Sequence, residues 1–185
     1  MSFHSGRHGV FLDRDGVLIE SQIRGGKPYA VTAAEDVKII PGVAGACRDL
    51  SSLGFLLVMT TNQPDVARGK VSEAFVRQTN AALAATLVLD SVEACLHDDA
   101  DGCDCRKPKP GLMIHAATRL GIDLGASFVV GDRWRDVEAG KAAGCRTVFI
   151  DCGYDEVLKT KPDFTCRSLS DAVQWIRIQT SLGDT

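Results

Sequence analysis

The sequence lacks what would place it in a membrane or on nucleic acid. No apolar run approaches the roughly 18 residues that suggest a membrane span. The stretch from Met1 to Gly9 is polar, carries two His and has no apolar signal core. There is no basic run and the net charge is −3, which argues against a nucleic-acid surface. Internal repeats and low-complexity segments are also missing. What remains is the expectation of a cytoplasmic monomer that binds neither membrane nor nucleic acid. At 185 residues, 45% of them hydrophobic, the chain is long enough for one domain, 1–185, with its own core.

Cysteine, by contrast, is plentiful: Cys47, Cys95, Cys103, Cys105, Cys145, Cys152 and Cys166. Three of the seven crowd into one loop. In a reducing compartment such crowding suggests metal more than disulfides. Cys47, Cys145, Cys152 and Cys166 have apolar or small neighbours, and core filling is the expectation for all four.

Apolar runs at 10–12, 55–59, 92–96, 127–130 and 147–150 predict strands, with a short sixth at 163–166. Helical spacing fills the gaps between them. One helix opens at Pro41-Gly42 and runs to about Leu53; a second is capped by Ser72 and runs to about Leu89. A third starts at Pro110 and stops at Gly121. A fourth ends near Ala143, before Gly144, and the last opens at Ser168 with Asp171 three residues on. Alternating strands and helices mean an α/β class with a central parallel sheet. Residues 20–40, with Gly25-Gly26 and Lys27-Pro28, read as an irregular excursion on the site side of the sheet. Gly183 to Thr185 should fray.

Four predicted strands end in residues that carry chemistry. The first runs into Asp13-Arg14-Asp15-Gly16, two carboxylates followed by a turn-permitting glycine. The second runs into Thr60-Thr61-Asn62-Gln63, hydroxyls and amides suited to an anion-binding turn. After the third comes the Cys-rich loop and then Arg106-Lys107-Pro108-Lys109. The fourth gives Gly131-Asp132-Arg133 with Asp136 four residues beyond Asp132. Each alone is as well read as a solvated turn. Strand ends of a parallel sheet share one crevice, so their recurrence is the signal. The inventory fits phosphoryl transfer with Mg²⁺, which needs positioning and charge neutralisation.

The Cys-rich loop holds Cys95-x-His97, five residues, then Cys103-x-Cys105. Three thiolates and an imidazole match a closed tetrahedral zinc site, structural rather than catalytic. The loop is polar and rich in Asp, so metal would supply its order.

Taken together, these motifs resemble those of the capless phosphatases of the haloacid-dehalogenase superfamily, the branch acting on heptose bisphosphate and histidinol phosphate. The resemblance spans residues 10 to about 155, and the Cys/His insertion before Arg106 is its most discriminating part. It implies a Rossmann-like fold, helices on both sheet faces and no large cap. By the resemblance, Asp13 would be the nucleophile and Asp15 the acid and base. Thr61 and the Asn62 backbone would hold the phosphoryl group, and Lys107 would neutralise it. Mg²⁺ would sit on Asp13, the Asp15 carbonyl and Asp132, with Asp136 orienting Lys107 or a metal water. Arg106 and Arg133 would touch substrate. Zinc would take Cys95, His97, Cys103 and Cys105. The implied substrate is a small phosphorylated sugar, heptose 1,7-bisphosphate first and histidinol phosphate second. A zinc-stabilised binding module without activity is the reading from another class. Two departures bear on the substrate: the excursion lacks the family's Asp-His-Gly-Tyr-like run, and the metal loop is short.

Overall fold

The structure, a computed structural model, describes residues 6–183. The expectations for the first five residues and for Asp184 and Thr185 fall outside that range. In chain order the strands are β1 (Gly9–Leu12), β2 (Gln22–Arg24), β3 (Lys27–Tyr29), β4 (Leu56–Asn62), β5 (Ser91–Cys95), β6 (Phe128–Gly131), β7 (Arg146–Ile150) and β8 (Phe164–Cys166). The helices are α1 (Val43–Ser52), α2 (Glu73–Leu87), α3 (Gly111–Leu120), α4 (Trp134–Ala143) and α5 (Leu169–Gly183). None is long and apolar enough to cross a membrane.

Six strands form one sheet in the order β5-β4-β1-β6-β7-β8. All its ladders are parallel, as the alternation requires. After β1 the chain moves outward to β4 and β5, then returns to β6 on the other side of β1. That reversal lies between β1 and β6, and a crevice opens beyond their C-terminal ends.

Side-chain alternation along β1 feeds two cores. Val10 and Leu12 face a large cluster with Leu50 of α1, Leu83 of α2 and Ile176 of α5. Phe11 faces the opposite cluster with Met113 of α3 and Ala139 of α4. Burying each such side chain contributes about 1.5–3 kcal/mol. With apolar contacts on both faces, β1 is firmly held, and its end is a rigid place for a site. Phe128 at the foot of β6 packs edge-on against Phe55 and Trp175, with centroids 5.7 and 5.9 Å away.

Several expectations change. Residues 20–40 are irregular only in part: β2 and β3 form an antiparallel hairpin, and the stretch after Tyr29 holds no further strand or α-helix. Gly25 and Gly26 both take positive φ (57° and 75°), which a two-residue hairpin turn needs. β4 runs three residues past Met59, because Thr60, Thr61 and Asn62 pair with β5. Cys47, Cys145 and Cys166 are buried as expected, but Cys152 is exposed in the loop after β7. Helix α5 continues through Gly183, where the sequence suggests fraying.

Candidate active site

Asp13 and Asp132 each stand one residue past adjacent strand ends, and the Asp13 amide donates to the Val130 carbonyl (3.0 Å). Asp136 reaches them from the first turn of α4. Oxygens of all three carboxylates lie within 4.8 Å of one another, and all three residues are buried. Glycine makes this crowding possible. Gly16 has φ +81°, and a Cβ there would fall 1.9 Å from Asp132 Oδ2. A Cβ on Gly131 would meet the Asp136 side chain at 2.1 Å.

Lys107 partly offsets the charge. Its Nζ lies 2.9 Å from Asp13 Oδ1 and 2.5 Å from Asp136 Oδ1, and it donates to the Thr60 carbonyl (3.0 Å). Burial alone would lower the Lys107 pKa, but the charges of Asp13 and Asp136 more than reverse this and hold the ammonium protonated. Three carboxylates against one ammonium leave two negative charges in a buried space. Asp132 bears most of the cost. Both its oxygens are buried without a hydrogen-bond partner. Burial, then the charges of Asp13 and Asp136, raise the Asp132 pKa well above the usual carboxylate range. Burial also raises that of Asp13, against the pull of Lys107. An oxygen-only, unsatisfied cluster with more carboxylates than cations has the donor chemistry for a hard divalent cation.

Asp15 belongs to a second network. The Arg14 guanidinium grips it through Nε (3.0 Å) and Nη2 (3.3 Å) and is itself fixed by Asn80 of α2 (3.0 Å). Gln63 Nε2 donates to Asp15 (2.9 Å) and to the Thr61 hydroxyl (2.8 Å). Arg14 is fully buried, which a lone Arg between two Asp does not announce. The cleft wall includes Asp13, Asp15, Asn62, Lys107, Asp132 and Asp136. Thr61 and Gln63 are both buried and neither is on that wall. Asn62 is, and its amide bonds both backbone groups of Lys107.

Of the basic residues, Arg106 and Arg133 reach the cleft. Arg106 Nε is 2.8 Å from Asp99, and Arg133 is paired through two nitrogens with Glu156. Arg135, unmarked by its place in the sequence, also lines the cleft, and Ser21, Pro28, Tyr29 and Ala30 form a wall around the hairpin. The cations of the excursion, Arg24, Lys27 and Lys38, do not line it. Lys109 instead closes the Cys-rich loop through the carbonyls of Gly102 (3.2 Å) and Cys103 (2.7 Å).

Cys95, His97, Cys103 and Cys105 come together as the spacing suggests. Cys95 and Cys103 sulfurs are 3.7 Å apart, and those of Cys103 and Cys105 are 3.5 Å apart. His97 Nδ1 is 3.6 Å from Cys95 and 3.3 Å from Cys105. A tetrahedron with metal–sulfur bonds of about 2.3 Å has edges of about 3.8 Å. The four atoms therefore already fit around one zinc-sized ion. Without metal, burial pushes the Cys95 thiol up to about 12.

Known proteins resemble this chain. A family profile described as HAD-hydrolase-like matches residues 104–172. The D-glycero-beta-D-manno-heptose-1,7-bisphosphate 7-phosphatase of Escherichia coli K12 is 34% identical over 92% of this chain and 94% of its own. The enzyme of the same name from Haemophilus ducreyi is 36% identical, over 92% and 99%. Among solved structures, D,D-heptose 1,7-bisphosphate phosphatase from B. bronchiseptica, complexed with magnesium and phosphate, superposes with a TM-score of 0.76. It is 28% identical, over 93% of this chain and 99% of that one.

Proposed function

The chain belongs to the haloacid-dehalogenase-like phosphatases, and from that premise we propose a Mg²⁺-dependent hydrolase of D-glycero-D-manno-heptose 1,7-bisphosphate that releases the 7-phosphate. One observation carries the chemistry: Asp13, in contact with Lys107, faces the orphaned Asp132 carboxylate in the same buried space.

Asp13 Oδ1 is engaged by Lys107 and by the Arg14 amide (2.8 Å). Its Oδ2 has no donor among the described residues, which makes it the attacking oxygen. It forms a bond to phosphorus as the ester P–O bond breaks, and Asp15 gives its proton to the departing sugar oxygen. Asp15 then takes a proton from water, which attacks the aspartyl-phosphate and frees Asp13 and inorganic phosphate. Arg14 and Gln63 fix the direction of the Asp15 carboxyl for both transfers. Lys107 neutralises the phosphoryl oxygens. Asp136 holds that ammonium and Asn62 holds the Lys107 backbone, and Thr61 braces Gln63, which bonds Asp15. Mg²⁺, held by Asp13, the Asp15 carbonyl and Asp132, would supply the missing positive charge. Cys95, His97, Cys103 and Cys105 would hold structural zinc, ordering the loop just before Arg106 and Lys107.

Arg106, Arg133 and Arg135 on the wall favour a second anion over the cationic amine of histidinol phosphate. The whole set comes from one chain, so a monomer suffices. Free thiols at Cys95, Cys103 and Cys105 suit a reducing cytoplasm.

The test is phosphate release, with Mg²⁺ or chelator, from heptose 1,7-bisphosphate, sugar monophosphates and histidinol phosphate. The expected result is Mg²⁺-dependent hydrolysis with the bisphosphate preferred. Preference for histidinol phosphate overturns the substrate. No release from any ester leaves the silent zinc module.

A further inference from the structure

Four cations line the cleft: Arg106, Lys107, Arg133 and Arg135. Three are already engaged. Lys107 serves Asp13 and Asp136, Arg106 holds Asp99 through Nε (2.8 Å) and Nη2 (3.4 Å), and Arg133 is paired with Glu156. Arg135 makes no hydrogen bond among the described residues. It lies 3.8 Å from Asp99 Oδ1, an ion pair too long for a hydrogen bond.

Arg135 is nonetheless held in place. Its guanidinium carbon lies 4.6 Å from the centroid of the Trp134 ring. Stacking engages the flat face of the guanidinium and leaves its N–H edges free to donate. The ring is itself braced by Lys159, whose Nζ is 3.7 Å from the centroid. The side chain is 30% exposed, reachable from the cleft but not loose in solvent. It also sits in the first turn of α4, one residue before Asp136, so the backbone fixes its distance from the reacting centre. Across the gap, Asp99 lies between Arg106 and Arg135, where an anion shared by two guanidiniums would lie.

We infer that Arg135 determines specificity by gripping the second anionic group of the substrate, a phosphate carried on the same sugar as the one that reacts. The inference rests on the phosphatase reading above and deepens it. Sequence position gives no hint of it, because the Trp134 stack and the commitments of the other cations exist only in the fold.

The experiment compares kcat/KM of wild type, Arg135→Gln and Arg135→Lys on heptose 1,7-bisphosphate, heptose 7-phosphate and an aryl phosphate. Losing a charge-assisted contact should cost Arg135→Gln about tenfold to a hundredfold more on the bisphosphate than on either monoester. The excess should appear in KM. Arg135→Lys keeps charge without the fork and should fall between. Because it preserves a long cationic stem, it also decides the matter if Arg135→Gln fails to fold. Equal losses on all three substrates overturn the inference and assign Arg135 a general electrostatic or structural role. A wild type that prefers the bisphosphate, with variants that keep that preference, overturns the inference alone. A wild type that treats bisphosphate and monophosphate alike overturns both the inference and the bisphosphate reading, while aryl hydrolysis leaves the phosphatase standing.

Discussion

Asn62 and Lys107 hold each other at two points. Asn62 Nδ2 donates to the Lys107 carbonyl (3.0 Å), and the Lys107 amide donates to Asn62 Oδ1 (3.1 Å). The side-chain amide thus stands in for a neighbouring strand and locks the turn that carries Lys107 to the end of β4. Asn62→Ala removes both bonds, each contributing about 0.5–1.5 kcal/mol. The loss should misplace the ammonium and lower kcat roughly tenfold, with a fall in melting temperature of about 2–4 °C for each kcal/mol lost. A full-activity variant would show that burial and the two carboxylates suffice to place Lys107.

Asp13→Asn should lower turnover by about three orders of magnitude or more while the fold persists. The amide keeps the shape but is a poor nucleophile and a weaker cation ligand. Steady-state kinetics, with circular dichroism and intact mass to exclude unfolding and deamidation, checks this. Substantial retained activity would sink the nucleophile assignment.

Stability should respond to Mg²⁺ in a pH-dependent way. The Asp132 pKa is raised, so its contribution to stability is fully present below the ordinary carboxylate range and lost as pH rises through the raised value. Over that interval the metal-free protein loses stability. Mg²⁺ competes with the same proton, so its stabilising effect should grow as pH rises from the ordinary carboxylate range through the raised value. Thermal melts with and without Mg²⁺ across that range measure it. A Mg²⁺ shift that is flat or shrinks with rising pH would contradict the assignment of Asp132 to the cation.

Gly16→Ala should abolish that Mg²⁺ response as well as activity. The added methyl meets Asp132 Oδ2, and the backbone sits at φ +81°. The strain should cost on the order of 1–3 kcal/mol. An Ala variant that still shows the wild-type Mg²⁺ shift would mean the loop relaxes freely.

Protein purified without added metal should carry one zinc per chain, by elemental analysis. Cys103→Ser should lose zinc and reduce activity, because the loop runs directly into Arg106 and Lys107. Finding no zinc, with Cys103 and Cys105 joined in a disulfide, would refute the site.

Much of this was readable along the chain because it depends on local spacing. The period of apolar residues dictates Val10 to Leu12 as strand and Val43 to Leu50 as one helix face. The Cys95, His97, Cys103 and Cys105 set is close enough in sequence that its convergence needs little help from the rest of the fold. Strand ends carrying Asp13, Asn62, Lys107 and Asp132 point to a shared crevice once a parallel sheet is accepted. The hairpin is not legible along the chain because Gly25-Gly26 reads equally as a break or as a turn, and the antiparallel pairing that decides is made by its flanks.

Residue order dictates which chemical groups this protein owns and the strand ends on which they stand. Tertiary structure decided which of them are spoken for. Arg14 and Arg24 are both arginines near Asp15, yet one is fully buried on that carboxylate and the other hydrogen-bonds Gln22 at the surface. Arg106 and Arg135 differ in the same way, one committed to Asp99 and the other left with free donors above Trp134. Pairing and burial depend on contacts between distant segments, so no local pattern encodes them. Those contacts set the charge balance, and the charge balance leaves Asp132 short of a cation.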